Sequence, residues 1–269
     1  MNEARKVFGK RASYYVDSES HTDKAVLDRV IELACANPEA TALDLATGTG
    51  HTAFALAPFV RKVIAIDVTP EMLEEARRLQ VSNGIANIEF SVADVGELPF
   101  GNEAFDIITC RRAAHHFADI GQALSEMRRV LKLGGRLVID DRSVPPDDFT
   151  DRTMNQLDLL HDESHVRDRR PSEWGRLLIE AGFRVETIET YIRHRPLTSL
   201  TDNVSPENAM RIQEIIACLN ASQRQAMNVI EKDGETYINH WFVIGVGTKD
   251  QSCYTDGNGG HHEVDRICE

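Results

Sequence analysis

The chain has 269 residues, 42% of them hydrophobic, and a formal net charge of −13 at pH 7 with histidines neutral. This length and apolar content allow a sizeable core, and they fit one large domain with insertions better than two independent domains. The negative charge repels a phosphate backbone, and no run of Lys and Arg interleaved with aromatic residues offsets it. The composition therefore argues against a nucleic-acid partner.

The first residues, MNEARKVFGKRASYY, lack the apolar core of a signal peptide, and no stretch has the roughly 20 apolar residues of a membrane span. The five cysteines are scattered and never spaced as Cys-x-x-Cys, so they predict reduced thiols and no metal site. We therefore expect a cytoplasmic protein.

From Thr41 onward, short apolar runs alternate with helical patterns, which is typical of a parallel sheet flanked by helices. Helices are predicted at EMLEEARRLQ, at IGQALSEMRRVLK with a stop at Gly134-Gly135, and at SEWGRLLIEAG with a stop at Gly182. The predicted strands are 41–46, 62–67, 88–94, 105–110, 135–140, 184–192 and 240–247.

Two segments interrupt this alternation, residues 143–171 and 194–237, and both carry apolar positions at helical spacing. They are either a lid over a binding crevice or additional packing helices. The predicted organisation is one domain over 1–249, with N-terminal cap helices in 1–40, a cofactor-binding core in 41–142, and a mobile tail at 250–269. Tyr14, Tyr15 and His21 lie in the cap region and could close the same side as the lid.

The most informative stretch is LDLATGTGHTAFALA, in which a strand leads through a glycine-rich turn into a helix. Gly48 and Gly50 lack a Cβ atom, so the chain can turn sharply there and a ligand can lie against backbone amides. Together with Asp67, this pattern also satisfies a loose dinucleotide-binding fingerprint. A nicotinamide dehydrogenase therefore stays open at this point.

Three carboxylates bear on which kind of ligand this crevice binds. Asp67 ends the second predicted strand and can accept hydrogen bonds from ribose hydroxyls, whichever cofactor supplies them. Asp94 ends the third, where it can accept from an adenine amino group while Val95 packs on the ring. Asp44 lies inside the first strand, four residues before Gly48. Three acids on successive strands suit a ligand with cationic and hydroxyl groups better than a pyrophosphate.

The segments DLATGTG, VIAID, ADVGELPF, FDIITCRRAAHHF and ALSEMRRVLKLGGRLVI together resemble the motif series of class I S-adenosylmethionine-dependent methyltransferases. The subgroup they resemble contains the ubiquinone and menaquinone biosynthesis methyltransferases. The family's acid-x-Gly-x-Gly-x-Gly motif falls on Asp44, Ala46, Gly48 and Gly50, so Ala46 replaces the first glycine. We expect a small backbone adjustment at Ala46, with cofactor binding kept.

The resemblance implies a Rossmann-like α/β fold: a seven-stranded, mostly parallel sheet with an antiparallel last strand, helices on both faces and helical lid insertions. It also implies S-adenosylmethionine as cofactor and S-adenosylhomocysteine as product. By position, Asp67 would hold the ribose, Val68 and Met72 would border the adenine, and Asp94 would take its amino group. Residues 46–50, including Thr47, would contact the methionine part, and Arg111 would lie near the sulfonium.

His115 and His116 in RRAAHHF are the candidate catalytic residues, since an unperturbed histidine titrates near pH 6.5 and can accept a proton from an acceptor. An Asn/Asp-Pro-Pro-Tyr motif does not follow the fourth strand, which leaves an oxygen, carbon or simple amine acceptor on a small molecule.

Two alternatives stay open. An NAD-type dehydrogenase is disfavoured by the absence of Tyr-x-x-x-Lys and by the two additional acids. A noncatalytic module that binds S-adenosylmethionine would keep Asp67 and Asp94 but needs neither a lid nor the histidine pair. The sequence leaves a homodimer open.

Overall fold

Eight strands form one mixed sheet in the computed structural model, which describes residues 19–250. They are β1 (Thr41–Leu45), β2 (Lys62–Asp67), β3 (Ile88–Val92), β4 (Phe105–Arg111), β5 (Leu131–Ser143), β6 (Arg184–Pro196), β7 (Ile230–Lys232) and β8 (Glu235–Thr248). The order is β3-β2-β1-β4-β5-β8-β6, with β7 paired to β8. Strands β1 to β5 pair in parallel, whereas β8 runs antiparallel to both β5 and β6. The predicted mostly parallel sheet with an antiparallel last strand is confirmed.

The helices connect these strands, and two short 3₁₀ turns accompany them at Ala57–Phe59 and Ala114–His116. The α-helices are α1 (Glu19–Thr22), α2 (Lys24–Ala34), α3 (His51–Leu56), α4 (Pro70–Ser82), α5 (Ile120–Val130), α6 (Asp148–His161), α7 (Pro171–Glu180), α8 (Thr198–Thr201), α9 (Pro206–Ala217) and α10 (Ala221–Ala226). Side-chain caps begin several of them; Asp119, for example, accepts from the Gln122 amide at 2.9 Å at the start of α5.

Both faces of the sheet are buried, which is why its central strands read as continuous apolar runs. On one face, Leu43 and Ile108 pack with Leu124 of α5 and Trp174 of α7. On the other face, Ala42 and Val138 pack with Val30 of α2 and Leu56 of α3. The helices therefore cover both faces, as predicted, and leave the carboxyl ends of the parallel strands as an edge that can bind a ligand.

The second insertion differs in detail from its prediction. Strand β6 continues to Pro196, and β8 begins at Glu235 instead of residue 240. Asp233 and Gly234 both have positive φ and make a tight hairpin turn between β7 and β8. This three-residue hairpin strand raises the count from seven strands to eight, and helices occupy a shorter stretch than 194–237.

Two of the predicted boundaries also shift. Helix α5 ends at Val130, and the chain enters β5 at once, so Gly134 lies in an irregular part of that strand and does not stop the helix. Strand β3 ends at Val92, which places Asp94 in the turn that follows. Gly182, with φ of +83°, does lie directly beyond the end of α7.

The insertions share a third apolar cluster outside the two faces of the sheet. Met154 and Leu157 of α6 pack with Ile212 and Ile216 of α9. Within residues 19–250, no helix combines the length and the apolar composition that a membrane crossing requires. Tyr14, Tyr15 and the predicted tail beyond Asp250 lie outside the described residues.

Candidate active site

A cavity of about 640 Å³ opens at the carboxyl ends of β1, β2 and β4. Its walls include ten of the eleven residues predicted to bind the cofactor, and also His116. The ten are Asp44, Ala46, Thr47, Gly48, Asp67, Val68, Met72, Asp94, Val95 and Arg111. The eleventh, Gly50, is not among the lining residues.

The loop after β1 presents backbone to this cavity. The Thr47 amide donates to the Ile66 carbonyl at 2.9 Å, and the Gly48 amide donates to Asp67 Oδ2 at 2.9 Å, so the loop is tied to the end of β2. Gly50 begins α3 with φ of +91°, and a Cβ there would lie 2.9 Å from the Phe54 ring. Gly50 therefore serves the turn and not the cavity wall.

Ala46, which stands where the family has glycine, keeps a left-handed φ of +48°. This is a conformation that alanine seldom adopts, and a small adjustment relative to a glycine at this position stays a prediction. A non-glycine residue in this region costs about 1 kcal/mol. The loop therefore holds some backbone strain next to the predicted cofactor site.

Two buried carboxylates form the floor of the cavity. Asp44 Oδ2 accepts from Thr47 Oγ1 at 2.5 Å and Asp44 Oδ1 accepts from Thr109 Oγ1 at 2.7 Å, yet burial raises the pKa of Asp44 to about 6. Asp67 accepts from the amides of Gly48 and Thr69, and burial likewise raises its pKa. Both sites would hold a cationic or hydroxyl-bearing ligand favourably, because such a ligand stabilises the ionised carboxylate.

The end of the cavity beside Asp94 has one exposed acid and three apolar side chains. Asp94 is exposed, and its Oδ1 accepts from the Gly96 amide at 2.8 Å. Met72 is buried, whereas Val68 and Val95 are half-buried. These side chains can enclose a flat ring while a carboxylate oxygen accepts at its edge.

Arg111 lies buried at the end of β4, and its charge is already engaged. Its Nε donates to Thr52 Oγ1 at 3.0 Å, its Nη2 donates to the His21 carbonyl, and Nη1 lies 3.9 Å from Asp140 Oδ2. Burial lowers the pKa of Arg111, opposed by the charge of Asp140. His21, which sequence reasoning placed near this side, also lines the cavity.

The two candidate catalytic histidines have different surroundings. His116 lines the cavity, whereas His115 is not among the lining residues. His115 Nδ1 lies 2.6 Å from Asp141 Oδ1, and its ring centroid is 3.9 Å from that of His116. Burial lowers the pKa of both imidazoles, and of His115 more strongly. The structure thus places His116, and not His115, in the cavity wall, and a catalytic role for His115 stays a prediction.

A segment after α6, residues 162–167, contributes to the cavity wall and is called the cover segment here. Its residues Glu163, Ser164, His165 and Val166 line the cavity. The amides of Val166 and Arg167 donate to the His115 carbonyl at 2.9 and 3.1 Å, which ties the segment to the loop after β4. Sequence reasoning placed a lid in 143–171 but did not identify Ser164, because no local motif marks it.

The second insertion lies outside the cavity wall. The cavity lining includes none of the residues 194–237, all of which the structure describes. Instead Leu200, Ile212 and Met227 pack in the third apolar cluster with α6. They support the helix that leads into the cover segment.

Together, the sheet order and the crevice with a carboxylate at the end of β2 define a Rossmann-like protein that binds a nucleoside-containing cofactor. A family described as a methyltransferase domain matches residues 36–234. YcgJ of Bacillus subtilis, named an uncharacterised methyltransferase, is 41% identical over 167 residues, which cover 62% of this chain and 66% of that protein. A demethylmenaquinone methyltransferase of Thermus thermophilus is 41% identical over 121 residues, covering 44% of this chain and 54% of that enzyme.

Solved structures agree with these sequence matches. The YcgJ crystal structure superposes with a TM-score of 0.79 at 30% identity, over 84% of this chain and 98% of that one. Geranyl diphosphate C-methyltransferase from Streptomyces coelicolor, solved with S-adenosyl-L-homocysteine, shares the fold with a TM-score of 0.60 at 16% identity, over 84% and 79% of the two chains. The chain therefore belongs to the class I S-adenosylmethionine-dependent methyltransferase family, which confirms the resemblance and disfavours the dehydrogenase alternative.

Proposed function

We propose that the protein transfers the methyl group of S-adenosylmethionine to a small-molecule acceptor bound in the same cavity. The observation that supports this proposal is the pair of buried carboxylates, Asp44 and Asp67, beside the loop after β1 in a cavity of about 640 Å³. A cavity of that size is typical of small-molecule sites. Burial raises the pKa values of both acids, so a bound cation or hydroxyl donors would stabilise their ionised forms, which supports the proposal.

When bound, the cofactor supplies a methyl group on a positively charged sulfonium. Asp67 would accept from the ribose hydroxyls, Asp94 from the adenine amino group, and Met72 with the valines at 68 and 95 would enclose the ring. Residues 46–48 would contact the methionine part together with Asp44. Arg111, whose guanidinium is already engaged by Asp140 and Thr52, would shape the wall near the sulfur.

On the acceptor side, His116 would contact the acceptor, and the cover segment would keep water away. Methyl transfer depends strongly on aligning the acceptor atom with the breaking bond, and an enclosed cavity supplies that alignment. The walls beyond the cofactor residues include the apolar Ala113, Phe117 and Val166. The cavity volume of about 640 Å³ and these apolar walls favour a small organic molecule as acceptor.

The first experiment is a calorimetric titration with S-adenosylhomocysteine. We expect binding by the wild type and a loss of about 1.5–3 kcal/mol in Asp67→Ala, roughly 10- to 150-fold in affinity, as is usual for hydrogen bonds to a charged group. Asp106→Ala is the matched control, since Asp106 pairs with Lys132 at 2.8 Å and is not among the cavity-lining residues. Calorimetry that finds Asp67→Ala within twofold of the wild type would remove Asp67 from the site.

A second measurement separates an enzyme from a noncatalytic binding module. Incubation with methyl-labelled cofactor and small-molecule extracts should transfer label to an extractable product. Tight binding without any labelled product would favour the noncatalytic alternative. The cytoplasmic location, the homodimer and the exclusion of nucleic acid stay predictions of the sequence.

A further inference from the structure

Arg112, the residue directly after β4, has a backbone conformation that non-glycine residues seldom adopt. Its φ is +56°, in the left-handed region, and it lines the cavity. Among the described non-glycine residues with positive φ, only Arg112 and Ala46 line the cavity. Leu45 of β1 pairs with Cys110 of β4, so the two strained residues leave neighbouring strands at nearly the same level. Such a conformation persists only where its surroundings hold it.

The side chain of Arg112 closes a ring of hydrogen bonds with partners on two other strands. Its Nε donates to Asp140 Oδ2 of β5 at 3.1 Å, and its Nη2 donates to the Tyr191 hydroxyl of β6 at 2.8 Å. That hydroxyl donates to Asp140 Oδ1 at 2.7 Å. Burial raises the pKa of Tyr191, so the hydroxyl keeps its proton for this bond. The guanidinium also lies 3.7 Å from the centroid of the Phe242 ring of β8, a favourable position for a cation.

These contacts hold Arg112 from outside the cavity. Asp140, Tyr191 and Phe242, which all belong to the described part of the chain, are not among the cavity-lining residues, and they are called the clamp residues here. The Arg112 amide adds a hydrogen bond to the Asp140 carbonyl at 2.7 Å. Because the side chain of Arg112 is only 8% exposed, water competes little for these bonds. The clamp residues therefore keep the backbone of Arg112 at its strained φ.

The left-handed residue turns the chain at the end of β4. An extended residue here would continue the strand, whereas Arg112 leads into the 3₁₀ turn at Ala114–His116. The His116 amide donates to the Ala113 carbonyl at 2.9 Å, which fixes the start of that turn. Arg111, Ala113 and His116 all line the cavity. The conformation of Arg112 therefore determines the course of the cavity wall beyond β4.

The sheet order indicates which part of a bound cofactor meets this wall. Strand β2, which ends at Asp67, and strand β3, which precedes Asp94, lie on one side of β1, and β4 lies on the other side. A ligand with its adenine at Asp94 and its ribose at Asp67 extends past β1 toward β4. Its amino-acid part would then lie beside the two strained residues, Ala46 and Arg112.

We propose that Arg112 is a positioning residue for the amino-acid part of S-adenosylmethionine, and that the clamp residues hold its backbone in the left-handed conformation that this part of the cofactor requires. This inference rests on the proposed function. Arg112 acts through the course of its backbone, because its guanidinium is engaged by Asp140 and Tyr191.

The test is calorimetric titration with S-adenosylhomocysteine and with 5′-methylthioadenosine, which has the adenosine but lacks the amino acid. Arg112→Ala loses the clamp, so its backbone can relax to negative φ. Only the left-handed fraction would bind the amino-acid part, so we expect affinity for S-adenosylhomocysteine to fall about tenfold, the usual preference of a residue with a Cβ against this conformation. The affinity for 5′-methylthioadenosine should stay within about twofold of the wild type.

Arg112→Gly separates the backbone from the side chain. It loses the same contacts, but glycine populates the left-handed region about as readily as the right-handed one, so its affinity for S-adenosylhomocysteine should fall only about twofold. Comparison of the glycine and alanine variants uses S-adenosylhomocysteine alone and decides without the second ligand. Arg136→Ala is the matched control, since Arg136 donates to the Leu33 carbonyl at 2.9 Å and is not among the cavity-lining residues. Its two affinities should equal those of the wild type.

Tyr191→Phe tests the clamp if the Arg112 variants do not fold. It keeps the aromatic ring and removes the hydroxyl that joins Arg112 to Asp140. We expect its affinity for S-adenosylhomocysteine to fall about threefold, as for the loss of one hydrogen bond, with 5′-methylthioadenosine unaffected. An unchanged affinity for S-adenosylhomocysteine in this variant would contradict the role of the clamp residues.

Three results with the Arg112 variants would overturn the proposal. Equal losses in the alanine and glycine variants would show that the backbone conformation is not what Arg112 supplies. Equal losses for S-adenosylhomocysteine and 5′-methylthioadenosine would show a general structural role. An Arg112→Ala affinity for S-adenosylhomocysteine equal to that of the wild type would show no role in binding. Failure of the wild type to bind S-adenosylhomocysteine would instead refute the proposed function, so the two failures are distinguishable.

Discussion

The raised pKa of Asp44 predicts a specific dependence of stability on pH. In the folded protein its pKa is about 6, against an ordinary value of 3.8. Below pH 3.8 the carboxyl is protonated in both the folded and the unfolded states. As pH rises from about 4 to about 6, the unfolded state ionises first, so the folded state loses relative stability. At about 1.4 kcal/mol per pH unit, the difference between the two pKa values corresponds to about 3 kcal/mol.

The substitution Asp44→Asn removes this effect while keeping an oxygen that can accept from Thr47 or Thr109. We expect the variant to gain stability over the wild type as pH rises from 4 to 7.5, by up to about 3 kcal/mol. The measurement is urea unfolding of both proteins without cofactor at half-unit pH intervals. The same variant should bind the cationic cofactor more weakly than the wild type, because it lacks the carboxylate charge.

Asp106→Asn is a matched control, for which we expect the change in stability with pH to have the opposite sign. Lys132 and the Thr41 amide lower the pKa of Asp106 against the effect of burial, so its carboxylate stabilises the folded state above the ordinary pKa of an Asp. Asp106→Asn should therefore lose stability relative to the wild type as pH rises. A stability difference between Asp44→Asn and the wild type that does not change with pH would show that ionisation of Asp44 does not destabilise the folded state.

Two further predictions concern the loop and the cover segment. Gly50→Ala should destabilise the protein by about 2–3 kcal/mol in urea unfolding, because Gly50 has a positive φ and a Cβ there would contact Phe54. Ala46→Gly should be neutral or stabilise the protein by up to about 1 kcal/mol. A Gly50→Ala variant as stable as the wild type would contradict the close packing at this position. In hydrogen exchange, S-adenosylhomocysteine with an acceptor should protect residues 162–167 more than S-adenosylhomocysteine alone, while residues 206–217 stay unchanged. Equal protection of both segments would mean that the second insertion also closes over the site.

The fold and the cofactor side were predictable because their signals are local and repeated. The strands that end in Asp67 and Arg111, and the strand that ends two residues before Asp94, are each followed by a turn or a helix, and parallel strands bring their ends to one edge. Gly50 was predicted to touch the ligand, but it is not among the cavity-lining residues and begins α3 with a positive φ; a glycine in such a loop can serve the backbone or the ligand equally well.

The acceptor side was less predictable because its contacts join segments far apart in the chain. Adjacent histidines at 115 and 116 look equivalent in sequence, and the 3₁₀ turn at Ala114–His116 decides which one lines the cavity. Ser164 reaches His116 across 48 positions, so no spacing rule could have linked them. The Asp233-Gly234 dipeptide is a local hairpin signal, but the prediction of helices over 194–237 did not take it into account.

The most direct test of the central claim, that this cavity binds S-adenosylmethionine for methyl transfer, is a crystal structure of the protein with S-adenosylhomocysteine. We expect the ribose hydroxyls within hydrogen-bonding distance of Asp67, the adenine between Met72 and Val95 with its amino group at Asp94, and the sulfur on the side of the cavity that contains His116. Ligand bound elsewhere, or bound here with its ribose away from Asp67, would contradict it.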